Sequence, residues 1–147
     1  MRSFHFRLER ALEISRAREK HLEERLGQAL ASLQRESLLL VAAEERLEAE
    51  MNRRAEAQSG DIHLGDLALA EAYFSKAHKA LNYQRQQAAL AAAAVELRRA
   101  DLLAASKDRQ TLEKLRERRL SAFQLEVNRE EQKQMDEVAA RLRRFPA

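Results

Sequence analysis

Along the first part of this chain, a position that recurs every seven residues is occupied by leucine in all but one of its repeats. That position is occupied in turn by Leu12, Glu19, Leu26, Leu33, Leu40 and Leu47. A second stripe, three or four residues away from the first, contains Leu8, Leu22, Ala29, Ala43 and Met51. This spacing is typical of a helix that packs along a partner helix over its whole length. It predicts a long helix from about residue 3 to about residue 58.

A second repeat with the same spacing begins near the middle of the chain. Its first stripe contains Leu67, Phe74, Leu81, Ala88, Val95 and Leu102. Its second stripe contains Ala70, Ala77, Ala91 and Ala105. The repeat predicts a second helix from about residue 67 to about residue 144. We expect the alanine run Ala88–Ala94 to lie in the seam, where small side chains let two helices approach closely.

The two repeats are out of phase, and the break falls at residues 59–66, which hold two of the three glycines. Gly60 can end the first helix in the left-handed conformation, and Asp66 can cap the second. Few other positions favour a turn, because the chain has one proline and 35% charged residues. The sequence therefore predicts an all-α fold in which a single domain, residues 1–147, forms a long antiparallel two-helix coiled-coil hairpin. Because the two seams can satisfy each other, we expect a monomer.

The two predicted helices differ in length, so the second extends beyond the first. Pairing outward from the turn brings Phe4 near Leu120, and the chain from about Ser121 onward is then an overhang. The overhang carries an apolar stripe made of Phe123, Val127, Met135, Val138 and Leu142. An apolar stripe without an intramolecular partner indicates an external one.

No pattern for an active site or a cofactor is found in the sequence. Without cysteine there is no disulfide, thiolate metal site or thiol nucleophile, which fits a reducing compartment such as the cytoplasm. The four histidines are scattered, and there is no glycine-rich phosphate loop or nucleophile elbow. We therefore expect a protein that is not an enzyme and holds neither metal nor cofactor. The longest apolar run, Ala88–Val95, is too short to span a membrane.

The basic character of the chain is weak. Its net charge is +3, and the densest basic run, Lys114, Arg116, Arg118 and Arg119, is interleaved with Glu113 and Glu117. Interleaved charges are typical of a solvated coiled-coil flank. The run contains no aromatic residues that could stack on bases, so we expect no nucleic-acid partner.

The C-terminal part of the chain contains a motif that heptad periodicity does not explain. Residues 128–141 read NREEQKQMDEVAAR, and Gln132, Lys133, Asp136 and Glu137 within them need not be those residue types for packing. This run resembles the C-terminal signature of the flagellar export protein J family (FliJ). Residues 112–118 with Phe123, and residues 6–12, are also similar to segments of that family. The middle of the chain agrees with the family only as heptads.

The resemblance implies a coiled-coil stalk of the flagellar type III export apparatus, which supports flagellum assembly and motility. Its implied partners are the hexameric export ATPase, the export-gate membrane protein and export chaperones, at the cytoplasmic face of the cell membrane. By resemblance, the ATPase-binding residues are Phe123, Gln132, Lys133, Met135, Asp136 and Glu137. The nearest equivalents of the family's gate-docking residues are Tyr73 and Phe74. Phe74 lies on the seam register, so Tyr73 is expected to be the exposed one.

Three other interpretations remain open from the sequence. The chain could be the equivalent stalk of a virulence-type secretion system, which shares the hairpin and differs in its ATPase and gate. It could be a basic helical hairpin that binds nucleic acid, in which case its affinity would fall steeply with salt. It could also be a dimerising coiled coil without a role in export.

Overall fold

The computed structural model describes residues 2–145, which contain two long helices. Helix α1 is Glu9–Ala57 and helix α2 is Leu64–Arg144, and no strand occurs within the described residues. The helices pack against each other as an antiparallel coiled-coil hairpin, which confirms the predicted fold class. Neither helix is long and apolar enough at any point to cross a membrane.

The chain divides into two units, each of which contains part of both helices. The turn unit is His21–Leu102, and the terminal unit consists of the residues up to Lys20 and those from Leu103 onward. Both units use the same packing rule, in which one stripe of each helix faces the other helix.

In the turn unit the predicted heptad stripes form the core. The buried apolar residues of α2 here are Ala70, Ala77, Leu81 and Val95, and Val95 is only 2% exposed. The half-buried leucines facing them from α1 are Leu22, Leu26, Leu33, Leu40 and Leu47. Met51 was wrongly placed in this seam, because its side chain is 53% exposed. The alternating spacing of three and four residues that runs through Leu47 continues to Glu50, which is 7% exposed.

The alanine run of α2 lies only partly in the seam. Ala88 and Ala91 are half-buried, whereas Ala92, Ala93 and Ala94 are exposed. The seam takes one residue in every three or four, so a continuous run cannot lie inside it. Ala89 and Leu90 are exposed as well, so the expectation that the whole run is close-packed was wrong for all of it except Ala88 and Ala91.

The connection between the helices lies close to the predicted reversal. Gly60 has a φ of 71°, the left-handed conformation expected of it. Helix α2 begins at Leu64, about three residues earlier than predicted, and the amide of Leu67 donates to the carbonyl of His63 at 3.0 Å. Asp66 therefore lies inside the first helical turn and is not the residue that precedes the helix. There its negative charge still interacts favourably with the helix dipole.

In the terminal unit, α1 begins at Glu9 and not near residue 3 as predicted. The preceding residues form a non-helical N-terminal segment, residues 2–8, whose burial alternates: Phe4 and Leu8 are half-buried and Phe6 is 3% exposed, while His5 and Arg7 are exposed. Burial of both Phe4 and Phe6 indicates an extended chain up to Phe6, because a helix would turn these side chains to different faces. Residues 7–8 then form a turn, in which the amide of Glu9 donates to the carbonyl of Phe6 at 3.1 Å. Burial of the two phenylalanines therefore outweighs helix extension here.

The extended segment reaches much further along α2 than a helix would. Glu9 accepts a hydrogen bond from Arg116 at 2.9 Å, and Arg2 pairs with Glu130 at 2.9 Å. Seven positions in this segment thus correspond to fourteen positions of α2, because residues 2–6 are not helical and an extended residue rises about 3.3 Å where a helical one rises about 1.5 Å. The overhang consequently begins near residue 131 and not near Ser121.

Candidate functional site

The part of α2 beyond the N-terminal segment is exposed on all sides. We name residues 131–145 the C-terminal overhang, and every residue in it is exposed. Its apolar members share one face of the helix: Met135 (73% exposed), Val138 (56%), Leu142 (71%) and, just past the helix end, Phe145 (83%). Their spacing of three and four residues is that of a coiled-coil seam. The overhang therefore carries a seam that no described residue covers.

The signature residues of the overhang divide between two faces. Met135 lies on the apolar face, where Glu131, Gln134, Val138, Ala139 and Leu142 line an open surface with it. Gln132, Lys133, Asp136 and Glu137 project from the other faces and are exposed. A partner that covers the apolar face would leave these polar side chains at its rim, where they can determine its orientation.

Phe123 occupies a different environment from the rest of the predicted ATPase-binding set. It is half-buried, and its ring centroid lies 5.7 Å from that of Phe4. Arg116 also lies over Phe4, with its guanidinium carbon 5.9 Å from the ring centroid. The structure therefore brings Phe123 together with the N-terminal segment and separates it from Gln132–Glu137.

A cluster of ion pairs joins the two helices within the terminal unit. Arg109 Nε donates to a carboxylate oxygen of Glu19, and Arg109 Nη1 lies 2.7 Å from Glu113 Oε2. Arg16 reaches the same Glu113 carboxylate at 3.2 Å. The hydrogen bond to Glu19 raises the pKa of Arg109 above its ordinary value, although partial burial opposes the shift. Glu19 is 14% exposed at its side chain, so this polar heptad position is matched by a cation from α2.

The predicted gate-docking pair lies near the turn. Tyr73 is 41% exposed, whereas Phe74 is half-buried, with the guanidinium of Arg54 lying 4.6 Å from its ring centroid. Arg54 is itself paired with Glu71 at 2.7 Å. Tyr73 lies with Leu69, Ala70, Arg53 and other residues along a shallow groove between the helices. The relative exposure of the two aromatic residues is as the seam register predicted.

Comparison with known families decides which group of proteins this chain is part of. The sequence model described as Flagellar FliJ protein matches residues 4–144, which is nearly the whole chain. The chain belongs to the FliJ family. It is thus a component of flagellar export, in a family whose members are not catalysts. No curated protein and no solved structure matched the chain.

Membership of the FliJ family agrees with the resemblance seen in the C-terminal signature and near the N-terminus. The match extends from Phe4, the first aromatic of the N-terminal segment, through the overhang to Arg144. Within residues 2–145 no three histidine, cysteine or acidic side chains are grouped so as to hold a metal ion.

Sequence reasoning missed the N-terminal segment as part of this region. Phe4, Phe6 and Leu8 alternate with polar residues, and this two-residue period was the available signal. It was obscured because Leu8 and Leu12 also fit the helical repeat that begins in the same place. The segment matters because it determines where the overhang starts.

Proposed function

We propose that this FliJ-family chain is the stalk of the export apparatus, and that its C-terminal overhang binds the hexameric export ATPase. The observation that carries the proposal is the uncovered seam of Met135, Val138 and Leu142 in a segment that holds the family signature. A coiled-coil seam left without a partner on its own chain is suited to packing against helices of another protein. The chemistry of ATP hydrolysis would then belong entirely to the partner.

Phe123 has a different role in this proposal from the exposed signature residues. Gln132, Lys133, Asp136 and Glu137 would contact the ATPase around the apolar face, together with Met135. Phe123 would act indirectly, because its ring packs on Phe4 and so fastens the N-terminal segment to α2. The Arg2–Glu130 pair would mark the boundary between the fastened part and the free part.

The proposal extends to the export gate and to export chaperones. Tyr73 is the exposed aromatic near the turn, so we assign the gate contact to Tyr73 and a packing role to its half-buried neighbour Phe74. With partners at the ring and at the gate, the chain would act at the cytoplasmic face of the membrane at the flagellar base.

Truncation after Glu130 tests the role of the overhang. The described residues that it removes are all exposed, so the helical circular-dichroism signal and the unfolding midpoint should stay close to those of the full chain. Binding to the purified cognate ATPase, measured by calorimetry or interferometry, should be lost. A truncated chain that binds the ATPase as tightly as the full chain would show that the overhang is not the contact.

A point variant with a matched control separates the apolar face from general effects of charge. Met135→Glu places a carboxylate in the centre of the face and should weaken ATPase binding by roughly a hundredfold, since an unpaired charge would be buried. Leu39→Glu makes the same kind of change at a leucine of α1 that is 54% exposed, and it should leave binding unchanged. Equal losses in both variants would argue against a specific contact at Met135.

A further inference from the structure

Helix α2 carries a second, mostly apolar stripe in the turn unit, on the face next to its seam with α1. The stripe runs beside the intramolecular seam with alternating spacings of four and three residues. Its members are Leu69, Tyr73, Lys76, Ala80, Tyr83, Gln87, Leu90, Ala94, Leu97 and Asp101. We name this set the outer stripe. Its large apolar members are strongly exposed, with Tyr83 at 61%, Leu90 at 64% and Leu97 at 59%.

The surroundings of the outer stripe are almost free of charge. Residues 80–95 contain Arg85 as their single charged residue, although charged residues make up 35% of the chain. The exposed alanines Ala92, Ala93 and Ala94 also lie in this stretch. Exposed apolar residues that follow a coiled-coil period on an uncharged helix face indicate a helical partner.

From this pattern we propose that two copies of the chain associate through the outer stripe, with their α2 helices antiparallel. The proposal commits to a second copy because the stripe is complementary to itself. When the two-fold axis passes between Gln87 and Leu90, Leu90 of each copy faces Gln87 of the other. Tyr83 then faces Ala94, and Leu97 faces Ala80. Each of Leu90, Tyr83 and Leu97 thus meets a smaller or more flexible side chain, which allows close packing.

The charges at the ends of the stripe support the same arrangement. In this register Lys76 of one copy faces Asp101 of the other, and the two-fold axis creates that pair twice. Asp101 also lies 3.5 Å from Arg98 of its own helix, so the carboxylate would accept from cations on both sides. A parallel arrangement in register would instead set Lys76 against Lys76 and Tyr83 against Tyr83. The sizes and the charges thus both favour the antiparallel pair.

The central residues of this association, Tyr83, Gln87 and Leu90, lie outside the overhang and the gate-docking pair, and Tyr73 lies near one end of the outer stripe. The association replaces the expectation of a monomer, which took account of only one seam on α2. The intramolecular seam and the outer stripe occupy neighbouring faces of α2, so both can be used at once.

The test is the solution mass of the full chain over a concentration series, measured by sedimentation equilibrium. One copy has a mass of 16.9 kDa, and the proposal predicts a rise toward twice that value as concentration increases. Leu90→Glu should raise the dissociation constant about a hundredfold or more, since a carboxylate would be buried beside the axis in both copies. Leu38→Glu is the matched control, because Leu38 of α1 is 65% exposed, and it should leave the constant unchanged.

A charge exchange identifies the second copy as the partner. Lys76→Glu and Asp101→Lys should each raise the dissociation constant about tenfold by setting like charges together, and the double variant should restore most of the affinity. Circular dichroism of each variant confirms that its helices are intact. A mass of 16.9 kDa throughout the series would overturn the proposal. So would association that tolerates Leu90→Glu, or single charge variants that weaken it without rescue by the double variant.

Discussion

Replacing Glu50 with leucine is expected to stabilise the turn unit. Glu50 lies on the α1 seam and is 7% exposed, and its Oε2 atom has no hydrogen-bond partner among residues 2–145. Its Oε1 atom lies 3.5 Å from Arg53, whose side chain is 61% exposed. The carboxylate is therefore removed from water with little compensation. The preceding residue on the same face of the helix is Leu47, so the seam accepts leucine next to this site.

The expected gain follows from three contributions of different size. A buried polar group without a partner costs about 1 to 3 kcal/mol, and burial of a leucine side chain contributes about 1.5 to 3 kcal/mol. Loss of the exposed ion pair with Arg53 offsets these gains by at most about 1 kcal/mol. Leucine and glutamate have similar helix propensities, so the helix itself is unaffected. Because the seam is narrow and buries less than a globular core, we expect a net gain of about 2 kcal/mol.

Urea denaturation followed by circular dichroism measures the gain, provided that the slopes of wild type and variant agree. Glu48→Leu is the control, because Glu48 is exposed two residues away and its replacement should change stability by about 0.5 kcal/mol or less. Glu50→Gln keeps the shape and removes the charge, so it should give a smaller gain than Glu50→Leu. An unfolding free energy for Glu50→Leu at or below that of Glu48→Leu would refute the view that the carboxylate is uncompensated.

Three further substitutions test other parts of the structure by the same denaturation assay. Phe6→Ala should lower the free energy of unfolding by about 2 to 4 kcal/mol, because Phe6 is 3% exposed. His5→Ala beside it should have little effect, and equal effects would contradict the extended N-terminal segment. Gly60→Ala should lower the free energy of unfolding by about 1 kcal/mol. The loss comes from the positive φ alone, since nothing lies within 4 Å of the added Cβ. An unchanged stability would show that the turn relaxes freely. Phe74→Ala should destabilise the chain while Tyr73→Ala should not. Affinity for the export-gate protein should fall with Tyr73→Ala, and a variant that binds normally would remove Tyr73 from the gate contact.

The elements of this fold were predictable because their signals are local. A seven-residue repeat can be recognised within a few consecutive helical turns, so the seams through Leu40 and Val95 could be predicted from the sequence. The reversal was equally local, since Gly60 interrupts two continuous repeats. The C-terminal signature could be found for a different reason: Gln132 and Asp136 are residue types that the repeat does not require.

The terminal unit could not be predicted in this way, because its form depends on contacts between distant parts of the chain. Whether residues 2–8 continue α1 or extend along α2 is decided by the packing of Phe4 on Phe123 and by the burial of Phe6. An extended segment covers about twice the length per residue that a helix covers. The start of the overhang therefore moves toward the C-terminus.

The sequence by itself determined that two helices form and which stripe of each faces the other, because periodicity is a property of a single helix. Only the tertiary structure decided which remaining apolar residues stay uncovered. Met51 and Leu90 are both apolar residues in helices with clear repeats, and the structure leaves both exposed. Whether a side chain is covered depends on which distant segment of the chain packs against it. A local repeat does not show where that segment lies.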